Sequence, residues 1–235
     1  MIWQPPETLA LLKIHNRRIK TKQNMNNLIH RLLLVTFFLS GCAALIYQIV
    51  WQRYLFTGLG VDIDSVTLIV SSFMLGIGIG GALGGWVADN IPDQRLKIYA
   101  AAEFFLALIG FSSPWLFSMI QSLSGSGWSY AGVSLVSVLA VLVPTTIMGM
   151  TLPLLTVYFN DALQNIGAST GALYFFNTLG AAFGAWLTVE WLFVSWGLDQ
   201  SAQLAASINI CCCILILSTS KIHHLPGGTV SRQKD

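Results

Sequence analysis

Six uninterrupted apolar runs decide what this chain can fold into: Leu32–Trp51, Ser65–Ala88, Ile98–Ile120, Tyr130–Tyr158, Thr170–Val189 and Ser201–Ser220. Each reaches the roughly 20 residues needed to cross the hydrocarbon layer of a bilayer. Among them they hold one formal charge, Glu103. A soluble domain needs a polar skin, with about a quarter of its residues charged; here charged residues are 9% of 235. Lipid offers no hydrogen bonds, so each run has to pair its backbone internally, which predicts helices. The expected fold is an all-α integral membrane protein, a six-transmembrane-helix bundle spanning residues 28–220. A polar basic tail at 1–27 and a second basic tail at 221–235 flank it.

Lysines and arginines set the expected orientation. Lys13, Arg17, Arg18, Lys20, Lys22 and Arg31 precede the first span, Arg95 and Lys97 follow the second, and Lys221, Arg232 and Lys234 follow the sixth. An even number of spans puts all of these on one side, against Arg53 alone on the other, so both termini are expected in the cytoplasm. The net charge of +2 then reflects this bias and not a nucleic-acid footprint. Trp51, Trp115, Trp128 and Trp196 are expected near the outer interface and Trp86 near the inner one. Cys211, Cys212 and Cys213 fan around one helix and cannot converge on a metal; no metal or cofactor is expected. His223-His224 reads as a solvated part of the basic tail.

Two features near the amino terminus compete with a plain first span. Met25 stands directly before the first span and is a candidate natural start, with residues 1–24 an extension. Leu39-Ser40-Gly41-Cys42 matches a lipoprotein cleavage box. The apolar run continues unbroken from Ala43 to Trp51, however, whereas a signal peptide's apolar core is about 7–15 residues and polar sequence follows it. A span with a small-residue packing patch is the favoured reading.

Gly76, Gly80 and Gly84 repeat every fourth residue along span two, laying bare a strip of backbone that another helix can approach closely. A dinucleotide-binding loop would need a strand before these glycines, and none is expected. Gly180 and Gly184 form the same strip on span five. Ile79–Trp86 aligns without gaps to Leu179–Trp186, and the two spans run in opposite directions. That is the pattern of a 3+3 inverted repeat, as in each half of a major facilitator transporter, although glycine-rich membrane helices also match one another easily. Pro144 and Pro153 remove backbone donors from span four and predict a kink.

Polar groups inside spans mark structural bonds or functional cavities. Glu103 is the clearest candidate; Gln48, Asn177 and Tyr47 accompany it, and Glu190 lies at the end of span five. For Gln48 and Asn177 an interhelical bond, often worth under ~1 kcal/mol, is the better reading. For Glu103 a cavity role and a structural role stand level.

Taken in order, several strings resemble one family: Ser40–Arg53, the glycine-rich span ending in Asp89, Pro144–Leu155, Gly171–Tyr174, and Asn177–Gly184. They are similar to the membrane region of the fused spermidine synthase-like proteins, which is major facilitator-like, over roughly residues 28–218. Gly85-Trp86-Val87-Ala88-Asp89 with Asp93, Arg95 and Lys97 resembles the loop signature between helices two and three of those transporters, where an acid caps a helix and pairs with arginines as a gate. Asn90-Ile91-Pro92 departs from it. Members of the family commonly carry a soluble aminopropyltransferase-like domain after the helices, and no such domain follows span six here, so the chain is not expected to be an enzyme. The resemblance implies a multi-pass protein of the bacterial inner membrane. It suggests a transporter-like module for polyamines or related organic cations, with Glu103 drawing the amine and Tyr47 or Trp186 offering cation–π contacts. The alternative is a non-transporting anchor or regulatory subunit for a separately encoded synthase. Expected partners are the lipid bilayer, a second copy through the glycine-rich faces, or that synthase.

Overall fold

The computed structural model describes residues 6–60, 63–163 and 165–223. Among the described residues the chain is all-helical, without a strand. Helix α1 is Pro6–Leu59, α2 Ile63–Asn90, α3 Arg95–Gly125, α4 Tyr130–Leu163 and α5 Ile166–Leu187. A π-helical turn at Thr188–Leu192 and a single turn at Phe193–Ser195 extend α5, and α6 is Gly197–His223. Six of these segments are long and apolar enough to cross a membrane: Asn27–Thr57, Val66–Asn90, Pro92–Gly125, Tyr130–Asp161, Ile166–Ser195 and Gly197–Thr219. They fall in the order and places that the apolar runs predict. Residues 1–5 and 224–235 lie outside the described chain, and with them most of the second tail.

The helix does not stop at the first tail. Backbone pairing is continuous from Pro6 through Met25 and into the span. It also passes without a break through Leu39–Cys42, and Cys42 is buried, which suits a packed span better than a cleavage site.

α2 packs mainly on α4, α5 mainly on α1, and α3 on α6. Glycine makes the first two pairings close. A Cβ added to Gly80 would strike the Thr146 carbonyl and come within 2.9 Å of the Gly149 Cα; one on Gly84 would lie 2.6 Å from the Met150 carbonyl oxygen. A Cβ on Gly180 would strike the Phe38 carbonyl, and one on Gly184 that of Cys42. Both glycine strips are therefore occupied within the chain. Gly76, Gly80, Gly84, Gly180 and Gly184 are packed against α4 or α1. Within α2, the glycines with open space are Gly78, Gly81 and Gly85, on the other side of the helix.

Side-chain hydroxyls repair the backbone where the helices are interrupted. Pro114 takes a donor from the Gly110 carbonyl, and Ser113 Oγ donates to that oxygen at 2.8 Å. Thr145 and Thr146, which follow Pro144, satisfy their own hydroxyls within α4 by donating to the Val141 and Leu142 carbonyls at 2.8 Å each. Thr188 Oγ1 donates to the Gly184 carbonyl at 2.7 Å, where α5 widens into its π turn.

Two apolar clusters fill the bundle. One centres on Tyr47, Trp51, Phe73 and Phe117, the other on Leu33, Phe37, Tyr99, Leu155 and Phe159. Trp51 is 1% exposed and stacks on Tyr47 with centroids 4.8 Å apart, so it is a core residue and not an interfacial anchor. Trp86, Trp115, Trp128 and Trp196 are exposed on the outside of the bundle.

Candidate functional site

Glu103 lies a little over two turns into α3, in the seam where α1, α3 and α6 meet and between the two apolar clusters. Its exposure is 0%, and neither carboxylate oxygen closes a hydrogen bond of ordinary geometry. The hydroxyls of Ser40 and Tyr99 face it, and Tyr99 Oη is itself buried without a partner. Tyr47 on α1 and Cys212 and Cys213 on α6 lie within its electrostatic reach. The heptad geometry explains the convergence: Tyr99 and Glu103 are four residues apart and share one face of α3. Tyr47 presses its ring edge against Gly110, where any Cβ would overlap it, and its hydroxyl points at the Leu106 carbonyl, 3.5 Å away.

Two of the four candidates therefore meet. Gln48 is half-buried on a face of α1 turned about 100° from Tyr47. Asn177 belongs to the α1–α5 seam, where its backbone and side-chain oxygens occupy the space a Cβ on Gly41 would need. Both read as packing residues. Trp186 points outward at 60% exposure and rests on Phe183, so it offers no cation–π contact at Glu103. Asn209 on α6 was not singled out in the sequence; it is 2% exposed and its Oδ1 lacks a partner. An amide in mid-span was the available signal, obscured by the neighbouring cysteine triplet.

Polar contacts clamp each end of the bundle. At the basic end, Arg95 is buried at the start of α3; its Nε donates to the Ala88 carbonyl at 2.7 Å and Nη1 meets Asp161 at 2.5 Å. Arg95 thus caps the end of α2 while tying α3 to α4. Its acidic partner is Asp161, whereas Asp89 faces outward, which departs from the loop signature the sequence resembles. At the opposite end, Tyr54 on α1 donates a hydrogen bond to Asp199 in the first turn of α6, and Gln121 Nε2 donates to the Tyr54 carbonyl at 2.8 Å. Arg53 lies 5.8 Å from the ring of Phe193 there. An open hollow of about 440 Å³ between Arg53, Phe56, Thr57, Phe193, Gly197 and Leu198 marks this end; none of its lining residues neighbours Glu103.

Among the described residues no group of three His, Cys, Asp or Glu side chains is arranged to hold a metal ion. No protein-family model, curated protein or solved structure gives a significant match to the chain.

Proposed function

We propose that the chain is a transporter-like membrane module, half of a major facilitator-type bundle built as a 3+3 inverted repeat, and that it handles polyamines or related organic cations. The observation that carries this reading is the register of the glycine contacts. Gly80 and Gly180 are 100 positions apart, and the carbonyls they touch, Thr146 and Phe38, are 108 apart. Gly84 and Gly184 touch Met150 and Cys42, again 100 and 108 apart. The reciprocal contacts obey the same rule: Gly149 meets Ile77, and Gly41 meets Asn177. Exchanging α1 with α4 and α2 with α5 thus carries one seam onto the other, residue for residue. The burial pattern agrees, being identical at every position between 78–90 and 178–190.

Inverted repeats are the architecture by which a bundle presents one midplane site to each side in turn. An unpaired carboxylate in the centre is what an amine or proton pathway requires and what a passive scaffold is under pressure to lose. Uptake of labelled putrescine and spermidine into liposomes holding the purified chain tests the reading; saturable uptake supports it. A second reading, anchorage of a separately encoded synthase, draws on α1, whose helix continues some twenty residues before its apolar segment. Co-purification of a synthase with a chain that moves no amine favours that alternative.

A further inference from the structure

We infer that Glu103 is a proton-binding site, and that transport by this chain exchanges a proton for an amine. The inference rests on the transporter reading above and identifies the ion that occupies its central group. In the closed bundle the carboxylate has no exposure, and no ordinary hydrogen bond reaches either oxygen. A charged carboxylate in such a place needs a cation or a full set of donors to offset its lost hydration. The groups within its reach are neutral chemistry: Ser40 and Tyr47 on α1, Tyr99 on α3, and Cys212 and Cys213 on α6. α4, which also packs on α3, carries no titratable side chain from Gly132 to Val157.

A polyamine is too large for this seam, because the stacked rings of Tyr47 and Trp51 close one side and the Phe37–Tyr99 edge contact closes the other. Among the described residues no ligand group for a metal ion gathers. A proton needs no volume, and it turns the carboxyl into both donor and acceptor. That matches the two hydroxyls beside it, above all Tyr99 Oη, which is buried and otherwise unpartnered. Parting of α1, α3 and α6 at one end would admit water. The carboxyl then gives its proton to that water, and the carboxylate left behind draws an ammonium group from the same side.

Infrared difference spectra of the full-length chain in liposomes, taken across the pH range in water and deuterium oxide, read the site directly. The expected result is a deuterium-sensitive carboxylic acid band that Glu103→Gln removes and Tyr99→Phe shifts. Should Glu103→Gln fail to fold, the shift in Tyr99→Phe and in Glu103→Asp carries the assignment. No acid band that responds to any of these changes overturns the inference. The second readout is labelled putrescine uptake under a pH gradient of one unit, acid inside. One proton exchanged per amine gives up to about tenfold accumulation, with the gradient response lost in Glu103→Gln. Uptake indifferent to the gradient overturns the proton exchange while leaving the transporter reading intact. A titrating Glu103 band in a chain that moves no amine does the reverse: the proton site stands and the transporter reading falls.

Discussion

Gly84 and Gly85 are adjacent in sequence and make opposite predictions for the same substitution. A Cβ on Gly84 would lie 2.6–3.0 Å from the carbonyl oxygen, Cα and carbonyl carbon of Met150, all backbone atoms. Carbon contacts are comfortable near 3.5–4.0 Å, so α2 and α4 would have to separate by close to 1 Å locally, and no rotamer change can relieve it. Overpacking of this kind costs about 1–3 kcal/mol. A Cβ on Gly85 would meet nothing within 4 Å. Both changes gain the helix propensity of alanine over glycine, up to ~1 kcal/mol in water, so the difference between them isolates the overlap. Gly84→Ala should therefore unfold more readily than Gly85→Ala by about 1–3 kcal/mol, each 1.4 kcal/mol being tenfold in the equilibrium. Denaturation in mixed micelles, followed by tryptophan fluorescence, measures it. Equal stability of the two variants would refute the α2–α4 register, and with it one half of the repeat argument.

Arg95→Gln should cost about 1.5–3 kcal/mol, because it removes charge-assisted bonds to both Ala88 and Asp161. Asp161→Asn should cost no more than about 1 kcal/mol, since Asp161 is largely exposed and the bond to Ala88 survives; thermal unfolding in detergent separates the two. Reporter fusions after residues 90 and 220 should both read cytoplasm and one near Gly125 the outside, and a carboxyl terminus on the outside would overturn the orientation. Ile77→Leu should be mild, because its side chain faces outward, in contrast to Gly80→Leu, which should abolish folded protein on size-exclusion chromatography.

The six helices were legible because hydrocarbon imposes length and apolarity on every span, and both can be read in one dimension. Glycine spacing on α2 and α5 pointed to close packing for the same reason. Which helix fills each strip could not be read, since any helix with an accessible backbone would serve; the identity of α4 and α1 as partners emerges from tertiary contact alone. The likeness of the two glycine seams was half visible. α2 and α5 share glycine, which close approach requires, whereas α1 and α4 share little beyond Gly41 and Gly149 because most of their positions need only be apolar. Glu103 announced itself as the lone charge, but its neighbours Ser40, Tyr99 and Cys212 did not, being ordinary residues until the α1–α3–α6 seam gathers them. Trp51 misled for a related reason. Its place at the end of an apolar run suggested the interface, yet α1 continues to Leu59 and buries it against Tyr47 and Phe117.

In the transporter reading proposed above, the bundle opens at its two ends in turn around the Glu103 seam. The clamps at those ends offer the most direct test. Cysteines replacing Tyr54 and Asp199 hold the α1–α6 end when cross-linked, and cysteines replacing Arg95 and Asp161 hold the α3–α4 end, in each case with the outward-facing Cys211 changed to serine. Putrescine flux is then measured in liposomes before cross-linking, after it, and after reduction. Either cross-link alone should stop flux, and reduction should restore it. Undiminished flux through a chain fully cross-linked at either end would contradict that reading.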